Sequence, residues 1–284
     1  MAADRALGVP PAPPRDASPP MPRLIAAWRL TRMALHALHG LLVTLLVLPW
    51  LDATGRRARV QWWSARLLRL LGVQLQVHGQ FRTGAKLIVA NHVSWLDITA
   101  IHAVCPEARF VSKSDVQRWP LIGRLVDAGD TLYIERDRKR DALRVVQVMT
   151  EALSAGDSVA VFPEGTTGDG RALLPFHANL LQAAIDGNAP IQPVALRYSE
   201  PGHPVSLAAM FVGETTLMQS MALIARARDL RVTLHVLPAQ SCGQADRRAL
   251  ARHTGLLIAS TLDPAPLPDD TTDLTLQHSV APLA

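Results

Sequence analysis

The sequence predicts an α/β fold, with a mostly parallel sheet flanked by helices and an N-terminal helical segment that associates with a membrane. Short apolar runs of strand length alternate with helical patterns from residue 73 to residue 261, as in layered α/β proteins. The 284 residues are 49% hydrophobic, which is enough to build a substantial core. A charge-free apolar run at residues 40–51 is flanked by arginines and predicts the membrane association.

The order of the elements follows from these patterns. Strands are predicted at residues 73–77, 87–90, 109–111, 131–135, 158–162, 190–198 and 231–237. Helices are predicted at residues 61–71, 98–104, 140–155, 175–186 and 246–261. In an open, mostly parallel sheet, ligands bind outside the carboxyl ends of the strands, so we expect the functional site there.

The chain divides into four parts by composition. Residues 1–22 are rich in proline and lack apolar periodicity, so we expect a disordered leader. Residues 23–71 are expected to form the membrane-associated helical segment, and the alternating strands and helices at 72–262 are expected to form the domain that carries the function. Residues 263–284 return to proline, aspartate and threonine, which predicts a flexible tail.

The N-terminal apolar segment is interpreted as a helical hairpin. Its uncharged part is shorter than the roughly 20 residues that a spanning helix needs. Positive charge flanks it on both sides, at Arg23, Arg29 and Arg32 before it and at Arg56, Arg57 and Arg59 after it. Such symmetric flanks favour a hairpin, bent near Pro49, that enters and leaves one face of the membrane. A single spanning helix, a signal peptide and a buried core helix are the alternatives.

The charge and the cysteines narrow the possible partners. The formal net charge is +5, and a basic balance suits nucleic acid, anionic lipid or phosphorylated substrates. Zinc-ligand spacing and the aromatic clusters of RNA-binding modules are both missing from the sequence, so no nucleic-acid partner is expected. Cys105 and Cys242 are far apart in the sequence, which indicates neither a disulfide framework nor a metal site.

A histidine and a carboxylate follow the second predicted strand. The stretch L-I-V-A-N-H-V-S-W-L-D places His92 just after a buried apolar run and Asp97 five residues later. This spacing predicts His92 in a loop and Asp97 in the first turn of the next helix. Histidine titrates near neutral pH and a carboxylate can orient it, so the pair suits general-base catalysis. The alternative is that Asp97 only caps a helix and His92 is a structural loop residue.

Two further strand ends carry candidate ligand-binding residues. The stretch V-F-P-E-G-T-T-G-D-G follows the strand at 158–162, and Gly165 and Thr166 could form an anion-binding loop with Glu164 beside it. The strand at 131–135 is followed by Arg136, which can pair with a phosphate through two parallel hydrogen bonds. A glycine-rich structural turn is the alternative for the first of these stretches.

Four ordered blocks of the chain resemble those of the 1-acyl-glycerol-3-phosphate acyltransferases and related glycerolipid acyltransferases. They are N-H-V-S-W-L-D at 91–97, Y-I-E-R at 133–136, F-P-E-G-T at 162–166 and I-Q-P-V at 191–194. The resemblance covers roughly residues 70–238. It implies a glycerolipid acyltransferase-like fold and transfer of a fatty acyl group from acyl-CoA or acyl carrier protein to a lysophospholipid. Thr167 and Gln192 depart from the family's frequent residues at their positions.

The resemblance also assigns roles to the residues of these blocks. His92 and Asp97 are expected to be catalytic. The residues expected to bind the acceptor are Asn91, Arg136, Glu164, Gly165 and Thr166. The expected acceptor is 1-acyl-glycerol-3-phosphate, with lyso-ornithine lipid as the alternative, and no metal or cofactor is expected. The enzyme is expected at a membrane surface, on the cytoplasmic face of the inner (plasma) membrane.

Two other classes of protein remain open from the residues alone. A metal-dependent hydrolase could use His92 and Asp97, although no second ligand pair occurs at a suitable spacing. A non-catalytic lipid-binding protein would explain the apolar N-terminal segment and the basic charge. It would not explain a histidine and a carboxylate together at a strand end.

Overall fold

A computed structural model describes residues 21–113, 122–134, 139–243 and 245–262. Its strands are β1 (Gln74–His78), β2 (Lys86–Ala90), β3 (Ala108–Lys113), β4 (Leu132–Ile134), β5 (Ser158–Val161), β6 (Ile191–Ser199) and β7 (Arg231–Val236). They form one sheet in the order β1-β7-β6-β2-β5-β3-β4. Among the described strands only β6 and β7 pair antiparallel, so the predicted mostly parallel sheet is confirmed.

Helices cover the sheet on both faces. They are α1 (Arg23–Leu46), α2 (Ala53–Leu71), α3 (Leu96–His102), α4 (Ile122–Asp127), α5 (Lys139–Ser154), α6 (Gln182–Asp186), α7 (Leu217–Arg226) and α8 (Arg247–Leu262). Local chemistry sets several of their ends. The Asp52 carboxylate caps α2 by accepting the N–H of Gly55 at 2.8 Å. The same helix ends at Gly72, whose φ of 78° is the left-handed conformation that glycine adopts without strain.

The core has two layers because successive residues of a strand point to opposite faces of the sheet. On one face, Ile88 packs with residues of α2, α3 and α7. On the other face, Leu87 packs with residues of α5, α6 and α8. Every residue of β2 is buried, which places this strand at the centre of the sheet and fixes the position of the loop that follows it.

The N-terminal segment folds as two antiparallel helices. A 3₁₀ turn at Leu48–Trp50 joins α1 to α2 and contains Pro49, where the sequence predicts the bend. The two helices are joined by a reciprocal pair of hydrogen bonds. The ring Nε2 of His36 donates to the Trp63 carbonyl at 3.0 Å, and the indole Nε1 of Trp63 donates to the His36 carbonyl at 3.2 Å.

Three points of the helix prediction need correction. The helix predicted at 175–186 is too long, since a 3₁₀ turn at Ala178–Leu181 precedes the short helix α6. The chain before that turn is tied to the loop after β5, because the His177 N–H donates to the Pro163 carbonyl at 2.8 Å. The short helix α4 was not predicted, and neither was α7. The start of α7 is marked by a capping box between Thr216 and Gln219, a signal that the sequence does contain.

The remaining boundaries differ from the predictions by a few residues, as expected when the patterns alone set them. The helix predicted at 61–71 starts earlier, because the Asp52 cap extends α2. Most of the predicted leader and all of the predicted tail, residues 1–20 and 263–284, lie outside the described residues.

Candidate active site

The candidate site lies where β2 and β5 end. These strands are parallel neighbours, with Val89 opposite Val161, so the loops that follow them leave the same edge of the sheet. The first loop carries His92 and the second carries Glu164. A backbone hydrogen bond from Gly168 to the His92 carbonyl, 2.7 Å long, joins the two loops. The two motifs that follow separate strands in the sequence are thus brought together.

His92 and Asp97 form a direct pair. Asp97 lies in the first turn of α3, as predicted, and its Oδ2 is 2.8 Å from the Nδ1 of His92. Asp97 is fully buried, whereas the His92 side chain is 20% exposed. Because an ionised carboxylate can only accept, Nδ1 carries the hydrogen and Nε2 keeps its lone pair. A general base needs that tautomer.

Three further donors hold the carboxylate of Asp97. The backbone N–H groups of Val93 and Ser94 donate to Oδ2 at 2.7 and 3.0 Å, and the Tyr198 hydroxyl donates to Oδ1 at 2.7 Å. Burial raises the pKa of Tyr198 well above its usual value, and the nearby charge of Asp97 raises it further. The hydroxyl therefore remains a donor, and both oxygens of Asp97 are held in place.

The ring of His92 is also held by an aromatic neighbour. It stacks on Phe162, with the ring centroids 4.0 Å apart and the planes 8° from parallel. Phe162 stacks in turn on Phe110, at 5.6 Å between centroids. Asp97 thus fixes one edge of the imidazole and Phe162 covers one face, so the orientation of Nε2 is set before a substrate binds.

Glu164 joins parts of the backbone on two sides of the site. Its Oε1 accepts the N–H of His92 at 2.8 Å, and its Oε2 accepts the N–H of Leu174 at 2.9 Å. Burial raises the pKa of Glu164, and these two backbone donors act in the opposite direction by stabilising the carboxylate. Since both oxygens bind the backbone, the geometry gives Glu164 a role in positioning the loops. Its predicted contact with the acceptor stays a prediction.

Gly165 and Thr166 are both exposed at the start of the second loop. Gly165 has a φ of 72°, and its N–H donates to the Phe162 carbonyl at 3.1 Å, so this residue forms a tight turn. A Cβ atom at Gly165 would lie 3.1 Å from the ring of His177. The fold therefore brings a second histidine beside this loop. The role of the loop in binding the acceptor remains a prediction.

The two other predicted acceptor ligands have different outcomes. Asn91 is buried, and its side chain binds the backbone of Leu196 through both polar atoms, at 2.9 Å from Nδ2 to the carbonyl and 2.7 Å from the N–H to Oδ1. This contact continues the pairing of β2 with β6 beyond the last ladder position. Arg136 lies outside the described residues, so its predicted phosphate contact stays a prediction.

Among the described residues, no group of three or more His, Cys, Asp or Glu side chains could hold a metal ion. Cys105 and Cys242 are both buried and free, and burial raises the pKa of each thiol.

One family model and several relatives match this sequence. A family model described as Acyltransferase matches residues 74–197. The lyso-ornithine lipid O-acyltransferase of Pseudomonas aeruginosa is 36% identical over 206 residues, covering 72% of this chain and 79% of that protein. The 1-acyl-sn-glycerol-3-phosphate acyltransferase of Neisseria gonorrhoeae is 44% identical over 112 residues, covering 39% of this chain and 44% of that protein.

The fold has a counterpart among solved structures. The 1-acyl-sn-glycerophosphate acyltransferase PlsC of Thermotoga maritima matches with a TM-score of 0.64, covering 84% of this chain and 94% of that one at 17% identity. The predicted acyltransferase-like fold is thus confirmed. The fold, the site and the relatives together define an O-acyltransferase. The chain belongs to the Acyltransferase family, so the hydrolase and the non-catalytic interpretations are set aside.

Two residues of this site, Tyr198 and Phe162, were not predicted as site residues. Tyr198 is 101 positions from Asp97 in the sequence, and no spacing rule links them. Phe162 belongs to a recognised block, but its stacking on His92 depends on how the two loops fold together. The position of Tyr198 within the long strand β6 gave no signal beyond an aromatic residue in a buried strand.

Proposed function

We propose that this enzyme transfers a fatty acyl group from acyl-CoA or acyl carrier protein to the free hydroxyl of a lyso-lipid, with His92 as the general base. The observation that carries the proposal is the 2.8 Å hydrogen bond from His92 Nδ1 to the buried carboxylate of Asp97. It leaves Nε2 as a proton acceptor on a partly exposed ring. We infer that Gly165, Thr166 and Arg136 bind the acceptor, and that Asn91 and Glu164, whose polar atoms bind the backbone, hold the loops of the substrate site.

The reaction then needs no covalent acyl-enzyme. Nε2 of His92 takes the proton of the acceptor hydroxyl while that oxygen attacks the thioester carbonyl. The tetrahedral intermediate breaks its C–S bond, and the thiolate of the donor leaves with the proton that His92 returns. Asp97 stabilises the imidazolium that exists between these two steps. The thioester supplies the activated acyl group, so the proposed reaction uses neither a cofactor nor a metal.

The first proposed acceptor is 1-acyl-glycerol-3-phosphate, which would give phosphatidic acid. Its phosphate is a dianion that suits a guanidinium and backbone donors, as Arg136 and the Gly165 loop could supply. His177 lies against Gly165 and could add a further donor to that phosphate. The relative from Neisseria gonorrhoeae carries this substrate in its name and has the higher identity of the two quoted relatives.

A second acceptor, lyso-ornithine lipid, is favoured by a different observation. The Pseudomonas aeruginosa relative that carries this substrate in its name aligns over 206 residues, against 112 for the Neisseria gonorrhoeae protein. A longer alignment includes more of the surface around the sheet. Both acceptors offer a free hydroxyl to the same base, so the chemistry at His92 would be the same.

The test is a direct transfer assay with the purified full chain in mixed micelles. Labelled acyl-CoA and labelled acyl carrier protein are each offered with 1-acyl-glycerol-3-phosphate and with lyso-ornithine lipid, and the products are identified by mass. Acylated product with either acceptor, lost in His92→Ala, supports the proposal. No transfer to either acceptor from either donor would refute it, and the ratio of kcat/KM ranks the acceptors.

We further propose that the enzyme works on the cytoplasmic face of the inner membrane, with α1 against the lipid. Ala26, His36 and Gly40 lie on the packed face of α1. An apolar stripe on the opposite face is open to solvent at Trp28, Leu35, Leu38, Leu42 and Leu45, whose spacings of three, four and seven residues keep them on one side of the helix. Such a stripe suits a helix that lies in the interface.

The length and charge of the segment fit this placement. No described helix is both long and apolar enough to cross a bilayer. Trp50, at the turn between α1 and α2, is 85% exposed, and tryptophan favours the headgroup region. Arg56, Arg57 and Arg59 in the first two turns of α2 are exposed and would favour an anionic leaflet.

A further inference from the structure

The carboxylate of Asp97 has an uneven set of partners. Oδ2 accepts three hydrogen bonds, from the ring of His92 and from the N–H groups of Val93 and Ser94. Oδ1 accepts the Tyr198 hydroxyl at 2.7 Å. Asp97 is fully buried and Tyr198 is 2% exposed, so bulk water does not reach this hydrogen bond. The Tyr198 hydroxyl is therefore the group that holds Oδ1 in place.

The position of Tyr198 follows from how β6 is held beside β2. The last ladder pair between these strands is Ala90 with Val194. Beyond it, the Asn91 side chain makes two hydrogen bonds to the backbone of Leu196 and keeps the strands together. Two residues further along β6, Tyr198 points to the same face as Leu196 and reaches the start of α3. The pairing of β6 with β2 thus holds the Tyr198 hydroxyl at a fixed position beside the Asp97 carboxylate.

A purely structural explanation accounts for only part of this arrangement. The ring of Tyr198 fills the core on the α2 and α3 side of the sheet, which phenylalanine would also do. The hydroxyl needs a partner once it is buried, and its partner here is the residue that orients His92. An ionised acceptor makes this hydrogen bond stronger than a bond to a neutral carbonyl.

We propose that Tyr198 is a positioning residue of the transfer reaction: its hydroxyl fixes the rotation of the Asp97 carboxylate so that Oδ2 faces His92 Nδ1. Without this bond the carboxylate gains rotational freedom about its last bond, and less of the enzyme holds the hydrogen on Nδ1. The inference rests on the proposed function, because it requires that His92 act as the base and Asp97 orient it.

The main test is Tyr198→Phe in the full chain, with transfer measured in mixed micelles. We expect kcat to fall about tenfold, the loss of one hydrogen bond to a charged group, while KM for donor and acceptor stays the same. We also expect the acid limb of the pH profile of kcat/KM to move to higher pH. Without the tyrosine donor, more negative charge stays on the Asp97 carboxylate, and this charge stabilises the protonated form of His92.

A control separates positioning from stability. Ile258 is buried on the opposite face of the sheet, in the layer with α5 and α6. The variant Ile258→Val removes one buried methyl group there and is compared with Tyr198→Phe at equal fractions of folded protein. Unchanged kcat and pH profile in Ile258→Val, with both altered in Tyr198→Phe, support the proposal. Equal profiles in the two variants would overturn it.

A second replacement covers the case in which Tyr198→Phe does not fold. Site-specific 3,5-difluorotyrosine at position 198 keeps a hydroxyl in place and makes it a stronger donor. We expect the acid limb to move to lower pH, opposite to the phenylalanine variant, and an unmoved limb counts against the proposal. His92→Ala distinguishes the two failures. Full activity in that variant would refute both the proposed function and this inference. If His92→Ala is inactive but the acid limb of the pH profile does not move in the Tyr198 variants, only this inference is refuted.

Discussion

The carboxylate of Glu164 accepts the backbone N–H of His92 at 2.8 Å and thereby fixes the loop that carries the base. Its second oxygen accepts the N–H of Leu174 at 2.9 Å, which holds the chain beyond the glycine-rich turn. An ionised carboxylate offers acceptors on both oxygens, so it can serve two N–H donors at once. The glutamate of the F-P-E-G-T block therefore acts on His92 through the backbone.

The first prediction concerns Glu164→Gln. One of the two N–H donors would then face the amide nitrogen, whichever way the side chain turns, and would be buried without an acceptor. We expect the free energy of unfolding to fall by about 1–3 kcal/mol, measured by urea denaturation. Glu214→Gln, at an exposed glutamate, is the control. An unchanged unfolding midpoint in Glu164→Gln would contradict the proposed geometry.

The second prediction concerns the base itself. We expect His92→Ala to lower kcat on the order of 10²- to 10⁴-fold, with the melting temperature nearly unchanged, because the side chain is partly exposed. Asp97→Asn should also lose activity: the amide oxygen takes the place of Oδ2, which accepts from His92, Val93 and Ser94, but a neutral amide does not stabilise the imidazolium that forms during the reaction. Transfer at the wild-type rate in purified His92→Ala would eliminate the mechanism.

The third prediction concerns Arg136 as a ligand of the acceptor phosphate. We expect Arg136→Ala to raise KM for 1-acyl-glycerol-3-phosphate at least tenfold while KM for the acyl donor changes little, because only the acceptor loses a charge-assisted contact. Arg136→Lys should recover part of the effect, since a point charge lacks the planar fork. Arg144→Ala, at an exposed cation on α5, controls for general surface charge at fixed ionic strength.

The outcome for Arg136 also bears on the choice of acceptor. If Arg136→Ala keeps its fold and its KM for 1-acyl-glycerol-3-phosphate, the phosphate is bound elsewhere. The Gly165 loop with His177 is then the next candidate for that site. A parallel assay with lyso-ornithine lipid, which has no phosphate, shows whether the change is specific to the phosphorylated acceptor.

The fourth prediction concerns the pH dependence of the helical hairpin. Burial lowers the pKa of His36 from its usual value of 6.5, and the charges of His39 and Arg66 lower it further, although the hydrogen bond to the Trp63 carbonyl raises it. Above pH 6.5 both the folded and the unfolded forms are neutral at His36. Below that pH the unfolded chain binds the proton first, so stability falls as the pH decreases toward the lowered pKa.

The measurement compares wild type with His36→Gln at pH 7.5 and at pH 5.5. Glutamine does not titrate, and its amide can still donate to Trp63, so the variant should lose less stability on acidification. Burial also lowers the pKa of His102, which makes both proteins less stable in acid. The difference between the two proteins isolates His36, and equal losses of unfolding free energy would show that His36 contributes nothing.

The fifth prediction concerns the apolar stripe of α1. We expect the double variant Leu38→Glu, Leu42→Glu to bind anionic vesicles more weakly by roughly tenfold or more, since each leucine buried in lipid contributes about 1.5–3 kcal/mol. Sedimentation with vesicles measures the bound fraction. Leu256→Glu, at a leucine of α8 that is 69% exposed, is the matched control. Equal binding by the double variant and the control would rule out α1 as the lipid contact.

Much of the fold was accessible from the sequence because its signals are local. The buried run of β2 and the helical pattern before Gly72 each depend on residues within one or two turns of one another. The pairing of His92 with Asp97 is local too, with a spacing of five residues across one loop. The helix α7 shows the limit of pattern analysis, since its capping box is a short signal in an irregular stretch.

The sequence by itself determined the strand-end motifs, the family blocks and the chemical identity of the base. Only the tertiary structure decided which partners hold that base. Glu164 reaches His92, Phe162 stacks on its ring and Tyr198 reaches Asp97 because β2, β5 and β6 are neighbours in the sheet. The order of strands is set by the burial of whole faces and by packing among residues far apart in the chain. No spacing between two residues of the sequence encodes those contacts.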